Sequence, residues 1–120
     1  MNRNSFKIIR IGLALVFLAN GLTAFFSPQE LKELLEASFV SQILPLPITA
    51  FLLIIGINDL LMSGLILLNR YQKYTFGWAM LWLIGVMIVV ARPLDILEHL
   101  GFFSMALALW IEAGSNKSMI

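Results

Sequence analysis

Long runs of apolar residues constrain this chain more than any other feature of its sequence. Four stretches approach the roughly 20 mainly apolar residues that a helix needs to cross a bilayer. They cover about residues 8–26, 47–68, 74–91 and 95–113. Hydrophobic residues make up 60% of the 120-residue chain and charged residues 12%, and a soluble domain of this size could not bury so much apolar surface. The sequence therefore predicts an integral membrane protein whose main partner is the lipid bilayer.

The predicted fold is all-α, a bundle of four transmembrane helices that forms a single membrane domain over residues 1–120. Residues 28–43, between the first and second spans, are predicted to form a short amphipathic helix at the membrane surface. Leucines repeat there at helical spacing, and glutamates occupy the other faces. Ser27 and Glu30 match the Ser-x-x-Glu capping box that starts such a helix.

Basic residues give the predicted bundle an orientation. Six of the eight lysines and arginines fall on one side of the predicted membrane, namely Arg3, Lys7, Arg10, Arg70, Lys73 and Lys117. The positive-inside rule places this side, and with it both termini, in the cytoplasm, and a prokaryotic cytoplasmic membrane is the predicted location. The basic start followed by an apolar run also resembles a signal peptide, but the run continues to Phe26 and favours a retained span.

Charge and cysteine content exclude several classes of function. The net charge of +1 leaves no broad basic surface for nucleic acid. The chain contains no cysteine, which excludes disulfides, thiol redox cycling and cysteine-ligated metals within it.

Asp59 lies near the centre of the second span, about 11 residues or roughly 16 Å from Arg70. A charged aspartate at the bilayer centre costs about 2.5–3.5 kcal/mol on insertion scales. Two interpretations remain open at this point. The functional one is proton handling or binding of a polar ligand group. The structural one is hydrogen bonding that holds helices together, with Asn20, Asn58, Ser63 or Thr23 as the partner.

A candidate ligand-binding site surrounds this carboxylate. Asn20 lies at a similar depth in the first span and could donate a hydrogen bond to Asp59, while Trp82 approaches the same depth in the third span. These three residues predict a pocket for the ring of a quinone or another amphipathic ligand. The alternative is that the aromatic residues only pack or anchor the helices. The sequence identifies no catalytic residue.

Asp95, Glu98 and His99 form a second polar group at the start of the fourth span. Their i, i+3, i+4 spacing places them on one helix face, which makes them a minor candidate for a divalent metal. Stabilisation of acidic residues by the helix dipole, with Arg92 as an ion-pair partner, is the favoured alternative. No metal site is therefore predicted.

Two segments resemble a known family of membrane proteins. RIGLALVFLANGLTAFFSP (10–28) is similar to the Arg, Gly-Leu and downstream Pro pattern that opens DoxX-like proteins. GINDLLMSGLILL (56–68) is similar to the Gly-x-x-Glu segment and Gly-Leu-rich sequence of the same family. Asp59 stands where the family commonly has Glu, and Ala24 stands where many members have Lys. The resemblance covers about residues 8–112 and implies a bundle of four membrane helices without the lysine-based ion pair.

The resemblance also carries functional expectations. Some DoxX-like proteins are membrane subunits linked to thiosulfate oxidation with quinone as acceptor, and others are partners in oxidative-stress complexes. The resemblance therefore implies an accessory or ligand-binding subunit that contacts quinone. Such a subunit would belong to a quinone-linked oxidoreductase and would not be a complete enzyme alone. Because this chain has no cysteine, it cannot perform sulfur redox chemistry through its own thiols.

Two other functions compete with this interpretation. Small multidrug transporters have a similar length, four spans and one intramembrane acid, although their acid lies in the first span and their orientation bias is weak. The six-to-two distribution of basic residues across the membrane favours the DoxX-like interpretation. The third possibility is a purely structural membrane scaffold that binds no ligand and whose partner is encoded elsewhere. The sequence leaves the ligand, the partner and the oligomeric state open.

Overall fold

A computed structural model describes residues 2–38, 40–43, 47–90 and 93–115, which are almost entirely helical and contain no strand. The helices in chain order are α1 (Arg3–Phe26), α2 (Gln29–Ala37), α3 (Val40–Ile43), α4 (Ile48–Leu68), α5 (Gln72–Val90) and α6 (Pro93–Ser115). The all-α prediction is thus confirmed for the described ranges. Three helices, α1, α4 and α6, contain segments long and apolar enough to cross a membrane, which supports the prediction of a membrane protein.

The segment predicted as one amphipathic helix over residues 28–43 is divided into α2 and α3. Ser38 has an extended conformation (φ −87°, ψ 162°). Its hydroxyl and its backbone N–H both donate to the carbonyl of Leu35, at 2.8 and 3.2 Å. A serine that bonds locally to the backbone in this way competes with continuation of the helix. The prediction of one continuous helix was therefore wrong.

The start of α2 also differs from the prediction. Ser27 is the C-terminal cap of α1, and its backbone N–H donates to the carbonyl of Thr23 at 2.9 Å. Pro28 precedes α2 without a side-chain capping bond. Ser27 therefore ends the preceding helix instead of starting the next one, because its backbone closes the last turn of α1.

The four long helices pack as two pairs, α1 with α4 and α5 with α6. A continuous core joins the pairs at one end of the bundle, which we call the closed end. This end contains the start of α1, the end of α4, the start of α5 and the end of α6. Its buried residues are Phe6, Leu13, Ala14, Phe17, Met62, Ile66, Phe76, Ala79, Leu83, Ala106, Leu109 and Ala113.

The opposite end of the bundle, which we call the α2 end, has a smaller core. Leu35 of α2 packs with Phe51 and Leu52 of α4, and Val89 of α5 lies against this cluster. Helix α2 therefore covers the start of α4 and the end of α5.

Two glycines allow α1 and α4 to approach closely. A Cβ atom on Gly21 would lie 2.9 Å from the side chain of Leu60 and 3.2 Å from its backbone nitrogen. A Cβ atom on Gly56 would lie 2.6 Å from the ring of Phe25. Small residues let helix backbones come together where burial of apolar surface from water does not drive association, as in lipid. The α1–α4 pair therefore depends on the absence of side chains at these positions.

Large apolar side chains cover much of the outside of the bundle. Leu61 on α4, Leu81 on α5 and Ile111 on α6 are all more than half exposed. Water would disfavour so much exposed apolar surface, whereas lipid chains can solvate it. The apolar exterior therefore supports contact with a bilayer.

Candidate functional site

A cavity of about 730 Å³ lies between the helices and extends to the α2 end. Its size is within the roughly 300–1,000 Å³ that is common for small-molecule pockets. The cavity lies between the two helix pairs. The backbones of α4 and α5 are close to each other at few positions, whereas α4 packs closely along α1 and α5 packs closely along α6. Side chains from α1, α2, α4, α5 and α6 all contribute to the lining.

The cavity extends deep into the bundle. On α5 its lining runs from Trp78 to Val89, which is about 16 Å at the helical rise. On α4 it runs from Phe51, near the α2 end, to Asp59. Asp59 and Trp78 therefore lie at the end of the cavity farthest from α2, which we call the far end. There Asp59 is buried and Trp78 is about half exposed. Apolar side chains form most of the remaining wall.

Asp59 is only 3% exposed and is held by side chains from two helices. Asn58 Nδ2 donates to Asp59 Oδ1 at 3.2 Å, and the indole of Trp82 donates a second hydrogen bond to the carboxylate. Trp78 Nε1 donates to Asn58 Oδ1 at 2.8 Å. These four residues form what we call the polar cluster. Its long indole side chains connect α5 to α4 where the two backbones lie apart.

The two indole rings of the polar cluster lie one helical turn apart on α5. Their centroids are 6.2 Å apart and their planes are inclined at 33°. Both Trp78 and Trp82 line the cavity. The far end therefore combines a carboxylate with two aromatic side chains.

The three residues predicted as ligand-binding all line this cavity, namely Asn20, Asp59 and Trp82. The hydrogen bonds of Asp59, however, go to Asn58 and Trp82, while the side chain of Asn20 is exposed. The sequence predicts Asn58 only as a structural partner of Asp59, and it does not assign Trp78 to the ligand-binding site. The spacing of Trp78 and Trp82 by one helical turn was the available signal, because it places both indoles on the same face of α5.

The minor metal candidates also line the cavity, at the α2 end. Asp95, Glu98 and His99 reach its lining, but among the described residues no group of three or more carboxylate or histidine side chains is placed to hold a metal ion. His99 Nδ1 donates to the backbone oxygen of Asp95 at 2.7 Å, since a carbonyl can only accept. Its ring also packs edge-to-face on Phe102. The proposed partner Arg92 lies outside the described residues.

The hydrogen bond between Trp82 and Asp59 can be tested by a double-mutant cycle. We expect Trp82→Phe to couple with Asp59→Leu by about 1 kcal/mol in the free energy of unfolding, because phenylalanine cannot donate to the carboxylate. Trp110→Phe makes the same chemical change at the closed end. Its effect on the free energy of unfolding should simply add to that of Asp59→Leu. Equilibrium unfolding in mixed micelles measures both values. If Trp82→Phe and Trp110→Phe showed the same coupling energy with Asp59→Leu, the result would contradict a hydrogen bond between Trp82 and Asp59.

Comparison with known proteins gives no match for this chain. No protein-family model matches it, and no curated protein and no solved structure is significantly similar to it.

Proposed function

We propose that this chain is a DoxX-like protein of four membrane spans that binds an amphipathic ligand in its cavity. In this proposal it serves as an accessory or ligand-binding subunit. The observation that carries the proposal is the convergence of Asn20, Asp59 and Trp82 from α1, α4 and α5 on one cavity. A largely apolar pocket with a few convergent polar groups is the usual form of a small-molecule site.

The fourth span in this proposal is α5. It contains 19 residues, or roughly 28 Å at the helical rise, close to the ~30 Å hydrocarbon core. Its one charged residue, Lys73, lies in the first turn, where a long side chain can extend to the interface. Four spans place both termini on one side, and the basic residues favour the cytoplasmic side of a prokaryotic membrane. Helix α2 then lies at the opposite surface.

The character of the cavity supports an amphipathic ligand. Leu34, Ile55 and Val86 belong to its apolar wall, whereas Asp59 marks its far end. A quinone ring is one candidate, because the resemblance to DoxX-like proteins links the chain to quinone-dependent oxidoreductases. A redox-enzyme partner would then supply the catalytic centre.

Filling the cavity tests this proposal directly. Gly85 lines the cavity, and a Cβ atom there meets no other atom within 4 Å, so Gly85→Leu adds volume without a backbone clash. We expect native mass spectrometry in mild detergent to show decylubiquinone or a co-purified amphiphile on the wild type. Retention should fall about tenfold or more in Gly85→Leu, the effect of losing roughly 1.4 kcal/mol of binding.

The matched control is Gly101→Leu, because this α6 glycine also meets no atom within 4 Å at its Cβ and does not line the cavity. Its ligand retention should equal that of the wild type. Absence of any amphiphile on a folded wild-type protein, or equal retention in both variants, would contradict a ligand-binding cavity. The scaffold interpretation would then be favoured.

A proton-coupled transporter is the second candidate, and one observation favours it. The carboxylate of Asp59 is buried and lines a cavity that extends from it to the α2 end, so a substrate bound in this cavity could lie against the carboxylate. Substrate-driven proton flux in liposomes that disappears in Asp59→Asn would support transport. Ligand binding without such flux would favour the accessory-subunit function.

A further inference from the structure

We propose that the cavity is selective for a lipophilic cation, that is, a hydrophobic molecule with a protonated amine or onium group. The cation would lie against the Asp59 carboxylate and the faces of Trp78 and Trp82. This inference rests on the proposed function, because it names the ligand class of the same cavity. Hydrogen bonding, ring geometry and the charge of the lining support it separately.

The hydrogen bonds of the polar cluster leave more acceptor sites than N–H donors for a ligand. Both indole N–H groups are already engaged, that of Trp78 with Asn58 and that of Trp82 with Asp59. The amide of Asn58 also donates to Asp59. A carboxylate has two oxygens and about four lone-pair sites, so Asp59 can accept more bonds than the cluster supplies. A donating or cationic group therefore matches the far end better than a carbonyl does.

The indole rings provide a second attraction for positive charge. The ring quadrupole draws a cation to the face of a tryptophan within roughly 6 Å of the ring centroid, and the attraction increases when the pair is shielded from water. The ring centroids of Trp78 and Trp82 are 6.2 Å apart, and both side chains line the same cavity as the buried carboxylate of Asp59. Paired aromatic rings of this kind are used to bind quaternary ammonium groups.

The charges that line the cavity have one sign in the part of the chain that the structure describes. The buried carboxylate of Asp59 is part of the lining, and no described lysine or arginine is. Walls of low polarity strengthen the field of such a charge. This field attracts a cation and repels a fatty acid or another hydrophobic anion. Because the remaining wall is mostly aliphatic, the rest of the ligand should be hydrophobic.

Two ions of equal shape and opposite charge test the inference. Tetraphenylphosphonium and tetraphenylborate differ mainly in charge, and equilibrium dialysis against neutral detergent measures their binding after subtraction of empty micelles. We expect the wild type to bind the phosphonium about tenfold or more tightly than the borate. Asp59→Asn should weaken only phosphonium binding by a similar factor, because it removes the charge that pairs with the cation.

Glu33→Gln is the matched control, since Glu33 is an exposed α2 carboxylate that does not line the cavity. Its binding of both ions should equal that of the wild type. Trp78→Leu gives an independent test should Asp59→Asn not fold, because the indole of Trp78 is about half exposed. It should weaken phosphonium binding several-fold, and Trp78→Phe should restore part of the loss by returning an aromatic face.

Equal affinity of the wild type for the two ions would overturn cation selectivity. Unchanged phosphonium binding in both Asp59→Asn and Trp78→Leu would overturn the assigned site. Neither result affects the proposed function as long as Gly85→Leu still removes an uncharged quinone analogue. If Gly85→Leu retained the quinone analogue as well as the wild type does, the result would instead contradict the proposal that the cavity binds a ligand.

Discussion

Replacing Arg10 by leucine is expected to lower the free energy of unfolding by about 2 kcal/mol. Arg10 Nη1 donates to the backbone oxygens of Ile66 and Leu67, at 2.6 and 2.8 Å. These carbonyls belong to the last turn of α4, where helical partners run out and the helix dipole favours a positive charge. The guanidinium therefore joins α1 to the end of α4, and leucine would remove both hydrogen bonds.

Lys7→Leu is the control for this prediction, because Lys7 lies on the same helix, carries the same charge and is exposed. Its effect should stay within about 0.5 kcal/mol. Equilibrium unfolding in mixed micelles, followed by far-ultraviolet circular dichroism, compares the two variants. If Arg10→Leu and Lys7→Leu lowered the free energy of unfolding equally, the loss would come from removing a positive charge. The contact of Arg10 with α4 would then contribute nothing to stability.

Replacing Gly21 by valine is expected to destabilise the protein by about 1–3 kcal/mol through overpacking. The added Cβ would meet the side chain of Leu60 at 2.9 Å and its backbone nitrogen at 3.2 Å. A leucine side chain can change rotamer, but a helix backbone can move only if the whole helix shifts. The α1–α4 pair must therefore separate to admit the new side chain.

Gly64→Val is the matched control, because a Cβ atom on Gly64 of α4 meets no other atom within 4 Å. Both substitutions make the same glycine-to-valine change within a helix, so the intrinsic helix propensity contributes equally to both. The same unfolding measurement should give a clearly larger loss for Gly21→Val. Equal losses would contradict close packing of α1 on α4 at Gly21.

The helical elements could be read from the sequence because their signals are local. The second apolar run was predicted over about residues 47–68, and α4 occupies Ile48–Leu68. Pro47 precedes the helix and Asn69 follows it in the left-handed conformation (φ 58°), a position at which asparagine is a common substitute for glycine. Hydrophobic composition and residues that start or end a helix act within a few residues. They can therefore be recognised in the sequence without knowing the fold.

The errors in the predicted helix boundaries came from serines that can form hydrogen bonds with more than one backbone group. Ser27 matched a capping box in the sequence but closes α1 in the structure, and Ser38 interrupts what was predicted to be one helix. Serine can bond to the backbone on either side of it. The sequence pattern alone does not say which of these bonds forms.

The candidate site was only partly predictable for a different reason. Counting residues along apolar runs placed Asn20, Asp59 and Trp82 at similar depths, and all three line one cavity. Depth does not specify how each helix is rotated about its axis, so the counting suggested Asn20 as the partner of Asp59. The structure instead places Trp82 beside the carboxylate.

Helical structure and an apolar character suited to a membrane follow from the sequence of each segment, because composition and hydrophobic run length do not depend on the other segments. The pairing of α1 with α4 and of α5 with α6 becomes evident only in the folded protein. That pairing leaves a cavity in which Asp59 and the distant His99 line the same space. Helix pairing and rotation depend on contacts between segments far apart in the chain, such as Gly21 against Leu60, and no local pattern encodes them.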